Sequence, residues 1–340
     1  MLSKIDIDLL YNKRIENTVI IEMTNLEIIQ LRSFIFIMLA FKSISLQDKS
    51  VLDNYFKKTK NYLSDYCIVD VFIWSEQCNT EYCIKEDFLF VKMNSILDQT
   101  PVYMLPIGSG DLSRSISYIQ RDALERGIFL IFTSISYEQK KWLETHFPNQ
   151  FIIEELRDLS DYIYRSQDLI SLKGNKYHSK KNQINRFMKM YQNRWKYESV
   201  SAFNMEEIIA FHEKWCLENA SNNHPIFYSE NKAVTFALEN MKELDIIGGA
   251  LRLDESIIAF TLGARTSKNM IVIQVEKADS NIRGAYQMIN QQFAIANCQD
   301  VMWINREEDL GIDGLRKAKN SYHPAFLGTK YRATLKNGDE

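Results

Sequence analysis

The residue types best suited to chemistry gather in the second half of this 340-residue chain. Glu276 ends an apolar, β-branched run (270–275) that reads as a strand. A carboxylate part-buried beside a sheet has a raised pKa, which suits it to take a proton from a hydroxyl or ammonium nucleophile. A salt bridge to Lys277 or to a cation of the basic helix upstream explains it equally well. Asn305-Arg306-Glu307-Glu308-Asp309 follows a second apolar run, 301–304, and strand ends are where α/β sheets present ligand-binding loops. There Arg306 can hold a phosphate or carboxylate and Glu307 can act as a base, whereas Asp309 and Asp313 also fit as helix caps. Tyr322 and His323, just before Pro324, offer either a proton donor or an ordered loop.

Upstream, residues 173–197 hold eight cations and no acid: Lys173, Lys176, Lys180, Lys181, Arg186, Lys189, Arg194 and Lys196. Ile184, Phe187, Met188 and Tyr191 form an apolar face at helical spacing, so the cations project outward. Such a stripe can grip nucleic-acid phosphates or anionic headgroups; it can also be a solvated face. His178, at the start of this helix, orders the loop. Gly284 opens another helix and Gly108-Ser109-Gly110 precedes a third. Helix starts of this kind can hold anions, though the second reads as a plain turn. No HxxxH, HExxH, P-loop or nucleophile-elbow pattern occurs, which argues against metal-dependent or nucleoside-triphosphate hydrolysis.

The elements that must position these residues form a mixed α/β pattern. Hydrophobic residues at 46% and charged residues at 25% fit a globular protein, and a net charge of −3 leaves any attraction to polyanions local. Five scattered cysteines without a CxxC pair predict no disulfide framework and a reducing, cytoplasmic setting. The apolar run 34–41 is eight residues long, well short of the roughly 20 that span a membrane. Ser45 with Asp48 starts one helix, and Ser136 with Gln139 caps another. Asn204 and Glu207 are placed to cap a third. Residues 82–91 read as a hairpin turning at Lys85-Glu86-Asp87, and 247–253, 257–265 and 270–275 as an antiparallel meander. Strand, glycine-containing loop, helix and strand follow one another at 102–147 and again at 270–320. The pattern predicts two similar domains, 41–158 and 159–335, after an extension of 1–40.

Several stretches carry a family resemblance: Asp161-Tyr162-Ile163-Tyr164; residues 172–182; Val275-Glu276-Lys277-Ala278-Asp279 into Arg283-Gly284-Ala285; residues 305–311; Gly314-Leu315-Arg316-Lys317-Ala318-Lys319; and Ser321-Tyr322-His323-Pro324. Together, over roughly 41–331, they resemble the stand-alone relatives of the C-terminal domain of bacterial phosphatidylglycerol lysyltransferase. The resemblance implies two tandem GNAT-like domains, each a mixed, mostly antiparallel sheet flanked by helices. It also implies transfer of an aminoacyl group from a charged tRNA to a hydroxyl or amine acceptor, without metal or cofactor, at a site that can lie against an anionic lipid surface at the inner membrane face.

On that reading Glu276 or Glu307 deprotonates the acceptor, and backbone N–H groups near Gly284 hold the oxyanion. Tyr322 protonates the leaving ribose hydroxyl. Arg283, Asn305, Arg306, Asp309 and His323 bind substrate, with Glu307 or Asp309 taking the α-ammonium. Lys173, Lys176, Lys180, Lys181 and Arg186 bind the tRNA. Two other readings stay open. Acyl-CoA-dependent N-acyltransfer would use the loop at Gly284, but Asn281 and Tyr286 stand where acetyl-CoA enzymes of this fold have Gln or Arg and a small residue. The other is a non-catalytic tRNA- or membrane-binding module.

Overall fold

Local signals account for much of the framework. In the computed structural model, which describes residues 39–59, 61–219 and 226–336, the chain begins with β1 (Lys42–Ser43), α1 (Lys49–Phe56) and α2 (Ile68–Ile73). The first sheet continues through β2 (Glu81–Lys85), β3 (Phe88–Asn94), β4 (Pro101–Tyr103), β5 (Ile107–Gly108), α3 (Leu112–Arg126), β6 (Ile131–Ile135), α4 (Tyr137–His146) and β7 (Phe151–Glu155). Then come β8 (Asp161–Arg165), α5 (Ser166–Ser171), α6 (His178–Met190), β9 (Trp195–Ser199), α7 (Met205–Asn219) and α8 (Ile226–Glu239). The chain ends with β10 (Ile246–Leu253), β11 (Ser256–Ser267), β12 (Met270–Ala278), α9 (Ala285–Asn297), β13 (Trp303–Asn305), α10 (Asp313–Asn320), β14 (Phe326–Gly328) and β15 (Tyr331–Leu335). The expected extension 1–40 and most of the run 34–41 lie outside the described residues.

The expected hairpin turn and two of the expected caps form. Glu86 and Asp87 take φ of 48° and 61°, the paired left-handed conformation of a tight hairpin turn. Ser136 and Gln139 close a reciprocal capping box on α4, and Ser45 with Asp48 does the same ahead of α1. Asn204 and Glu207 are engaged differently. Asn204 Oδ1 accepts from the Ser201 N–H at 2.8 Å, and the Glu207 carboxylate is held by Arg252 at 2.6 and 2.8 Å.

Two mixed sheets result. The first runs β1-β2-β3-β4-β6-β15-β7, with β5 on β3, and the second β14-β8-β13-β12-β11-β10-β9. Among the described residues each sheet contains one parallel pair, β4 with β6 and β12 with β13, and each pair is joined through a helix, α3 or α9. This is the expected repeat of strand, helix and strand. Period-two alternation sends neighbouring side chains of β12 to different cores. Val272 joins α1, α2, α7 and α8 on one face, while Ile271 and Ile273 join α5, α6 and α9 on the other.

The C-terminal strand departs from the expected boundary. Residues 331–335, counted with the second domain by their sequence position, pair antiparallel with both β6 and β7 in the first sheet. The described residues from Leu39 onward fall in one contact unit. No described helix is long and apolar enough to cross a membrane, and all five cysteines are free. A chain ending at Gly328 removes the strand between β6 and β7 and exposes two edges. We expect it to be insoluble or to lose cooperative thermal unfolding, whereas a chain ending at Lys336 keeps both; cooperative melting of the shorter chain would refute the dependence.

Candidate active site

Parallel pairing of β12 with β13 lasts from Met270 opposite Trp303 to Val272 opposite Asn305. Strand β12 then runs on to Ala278 while the chain leaves β13, so the strands part. The wedge opens into a cavity of about 680 Å³, a volume typical of small-molecule sites. Its walls include Asp65, Asp70, Thr133 and Ser134 from the first half, and Glu276, Arg306, Glu307 and Tyr322 from the second.

At the wedge, Glu276 is held on both oxygens: Arg306 Nη2 donates to Oε1 at 2.7 Å and Asn290 Nδ2 to Oε2 at 2.9 Å. Glu276 and Lys277 are neighbours on a strand and leave opposite faces, so the expected Lys277 partner is replaced by Arg306. Lys277 instead lies 3.9 Å from the centre of the Trp215 ring and pairs with Glu230 at 2.7 Å. Arg306 packs on the rings of Tyr322 and Tyr164, and its Nη1 is buried without an acceptor among the described residues. Lys180 Nζ is 4.3 Å from the centre of the Tyr322 ring; burial and the nearby Arg306 lower its pKa. Burial also pushes the Tyr322 hydroxyl upward, so it is a phenol at neutral pH, and no described residue hydrogen-bonds it.

A second charged group fills another part of the wall. Lys330 forms ion pairs with Asp65 at 2.6 Å and Asp161 at 2.9 Å, and donates to Glu308 at 3.4 Å and Ser64 Oγ at 3.1 Å. Burial opposes its charge, but these carboxylates outweigh it and hold the pKa well above normal. Lys319 directs its ammonium to the backbone oxygens of Arg306 and Glu308, and burial pulls its pKa down to about 8. Asp70 and Glu307 are left over. Among the described residues neither carboxylate oxygen of Asp70, which is 8% exposed, has a hydrogen-bond partner, and Glu307 has no side-chain hydrogen bond or ion pair. Burial first, then neighbouring carboxylates, raises both pKa values well above the usual range. Glu307 also carries a φ of +56°, a conformation that costs a bulky residue energy and often marks a functional position.

The structure brings Glu276, Glu307, Arg306, Tyr322 and Lys180 to one cavity and leaves the other expected site residues elsewhere. Arg283 is exposed outside it. Gly284 serves helix packing: at φ +97°, a Cβ there would meet the Gln183 carbonyl oxygen at 2.9 Å. Gly284 itself does not line the cavity, whereas Tyr286 and Gln287, at the start of α9, do. Asp309 is fully buried and saturated by Arg316 (2.8 and 2.9 Å), Tyr162 (2.6 Å) and the Gly311 N–H (2.9 Å). Burial opposes its charge, yet Arg316 holds its pKa well below normal. Asn305, also fully buried, binds Asp161 at 2.8 Å and accepts from the Glu307 N–H, so it shapes the loop. His323 is exposed and meets the Lys176 carbonyl at 3.0 Å. Lys173, Lys176, Lys181 and Arg186 point to solvent, and Lys176 pairs loosely with Asp168 at 3.5 Å. Sequence reasoning missed Asp65, Asp70, Lys319 and Lys330. Only Asp70 carried a local signal, as the one acid in the apolar hexapeptide 68–73.

The raised carboxyls set a pH dependence. Folded Asp70 and Glu307 keep protons that the unfolded chain releases near pH 4, so the folded state binds more protons and loses stability as pH rises from there through the raised values. The slope can reach about 1.4 kcal/mol per pH unit for each group. The groups facing Asp70 are Asp65, Glu308, Asp161 and Lys330; those facing Glu307 are Asp70, Glu308, Lys319 and Asp161. Asp70→Asn should flatten the fall in Tm between pH 5 and 8 and melt higher than the parent at pH 8. Parallel Tm curves would contradict this account.

Comparison with known proteins places this geometry. A crystallised conserved protein of unknown function from Bacteroides thetaiotaomicron is 34% identical and superposes with a TM-score of 0.84, over 88% of this chain and all of that one. The C-terminal domain of a putative lysylphosphatidylglycerol synthetase from Agrobacterium fabrum shares the fold at 16% identity, with a TM-score of 0.59 over 87% of this chain and 94% of that one. An uncharacterized protein of Mycoplasmoides gallisepticum is 23% identical over 197 residues, 56% of this chain, and the match spans 60% of that relative's length. The two mixed sheets flanked by helices share the fold of the Agrobacterium domain. Residues 56–334 match the family model described as "Phosphatidylglycerol lysyltransferase, C-terminal", and the chain belongs to that family.

Proposed function

We propose that this chain transfers an aminoacyl group from a charged tRNA to a hydroxyl or amine acceptor at the wedge between β12 and β13. Family membership and the GNAT-like fold support acyl transfer. The observation that carries the site assignment is the Glu276–Arg306 pair on the cavity wall, with an unused guanidinium N–H beside it.

Glu276 accepts the proton of the acceptor as its oxygen or nitrogen attacks the ester carbonyl. The Arg306 Nη1–H, still without an acceptor, donates to the oxyanion of the tetrahedral intermediate; this task passes to Arg306 from the loop at Gly284. As the bond to the ribose oxygen breaks, the Tyr322 phenol protonates it. The proton gained by Glu276 equals the one given by Tyr322, so the site resets by proton exchange through solvent. Glu307 receives the ammonium of the aminoacyl group, since Asp309 is already saturated. Helix α6 turns Lys180 to the cavity and presents Lys181, Arg186 and Lys189 outward without ion-pair partners among the described residues, a pattern suited to tRNA phosphates.

The decisive experiment incubates the chain with a mixture of labelled aminoacyl-tRNAs and a cell extract containing lipids and small molecules. Labelled product should form, and Glu276→Gln and Arg306→Ala should each cut its rate by about 100-fold or more. Absence of product with the parent chain, or full rates in both variants, would overturn the reading. Binding is tested separately. Lys181→Ala with Arg186→Ala should weaken tRNA affinity and reduce its dependence on log salt by about 2; an unchanged slope would remove α6 from the tRNA interface.

A further inference from the structure

The acids around Lys330 do not balance. Asp65, Asp70, Asp161, Glu307 and Glu308 lie within one interacting cluster whose cations are Lys330 and Lys319. Lys330 is committed to Asp65, Asp161 and Glu308, and Lys319 to two backbone carbonyls. Asp70 and Glu307 therefore stand in the cavity wall without a counter-ion from the chain. Without a counter-ion each of the two keeps its proton, and a native structure retains a buried polar group without a partner when that partner comes from elsewhere. No group of three or more His, Cys, Asp or Glu among the described residues is arranged to hold a metal ion.

We infer that Asp70, from the first half of the chain, acts with Glu307 as a subsite for a primary ammonium carried by the substrate. The inference rests on the transfer reading above for the identity of that substrate, though not for the subsite itself. Glu307 is the more exposed of the two and meets the ammonium first, while Asp70 is the deeper carboxylate behind it. An ammonium offers three donors, enough to engage both groups. Asp70 is then a specificity residue: a neutral group of the same size is a poorer occupant, because it brings no charge to replace the proton on either acid. Asp65 and Asp161 are already bound by Lys330, so an arriving ammonium displaces the protons of Asp70 and Glu307 and pairs with the carboxylates this leaves.

The test needs neither tRNA nor turnover. The full chain is titrated at pH 7 with n-pentylammonium and with 1-pentanol, its uncharged counterpart, by ligand-detected NMR. The ammonium should bind at least tenfold more tightly. Asp70→Asn should reduce its affinity at least tenfold and leave pentanol within twofold. Glu307→Gln carries the same expectation if the first variant fails to fold, and Glu138→Gln, an exposed acid of α4, should change nothing. Equal binding of both probes, an intact preference in the folded Asp70 or Glu307 variant, or an equal loss in Glu138→Gln would overturn the inference. Ammonium selectivity without aminoacyl transfer would retire the transfer reading and keep the subsite; transfer with no charge preference would do the reverse.

Discussion

The ammonium of Lys330 joins parts of the chain that no local signal connects. It sits one residue ahead of β15, its backbone oxygen accepts from the Leu156 N–H at 2.8 Å, and its side chain meets Ser64, Asp65, Asp161 and Glu308. Those residues come from the segment before α2, from β8 and from the loop after β13. Withdrawing an ammonium from water costs several kcal/mol, repaid only when carboxylates and hydrogen-bond acceptors surround it in good geometry. Seating β15 between β6 and β7 and neutralising the acids at the cavity are therefore one event. The two sheets cannot settle independently without leaving this charge, or its partners, stranded.

That coupling explains which parts of the structure were legible from sequence. The hairpin at Glu86-Asp87, the capping boxes and the β10–β12 meander depend on residues close in sequence, and their chemistry shows there. That Glu276, Arg306 and Glu307 lie at strand ends was legible from the apolar runs before them, whereas Tyr322, in a loop before Pro324, carried no comparable signal. The pairing of Glu276 with Arg306 was not legible, since it depends on which face of β12 looks toward the loop after β13. Gly284 and Asp309 misled for a common reason. A glycine at a helix start and an acid in a loop serve close packing or ion pairing as readily as binding, and only the Gln183 carbonyl or the Arg316 guanidinium tells them apart. Asp70 and Lys330 gain their meaning from residues more than two hundred positions away.

The shared cavity also changes the standing of the first half. In each sheet the single parallel pair breaks off early, β4 with β6 at Tyr103 opposite Phe132, and β12 with β13 at Val272 opposite Asn305. Residues at both breaks reach the same cavity: Val102, Thr133 and Ser134 on one side, Ile273, Gln274 and Glu276 on the other. A repeat of the fold thus yields one site with two unlike walls. The second wall holds the charged pair Glu276–Arg306. The first holds an apolar side chain and two hydroxyls, and the Ser134 hydroxyl is turned to Asp65.

This asymmetry follows from how much charge a buried volume can tolerate. A second carboxylate–arginine pair at the β4–β6 break would add another desolvation cost beside acids that already outnumber their lysines. Hydroxyls avoid it, because Ser134 donates to Asp65 and helps satisfy a carboxylate that Lys330 already neutralises. The first break is thereby free to shape and orient what the second can act upon. Asp70 and Glu307, which have no partner among the described residues, keep their protons instead. The cavity is thus lined from both sheets, and neither half of the chain forms it alone.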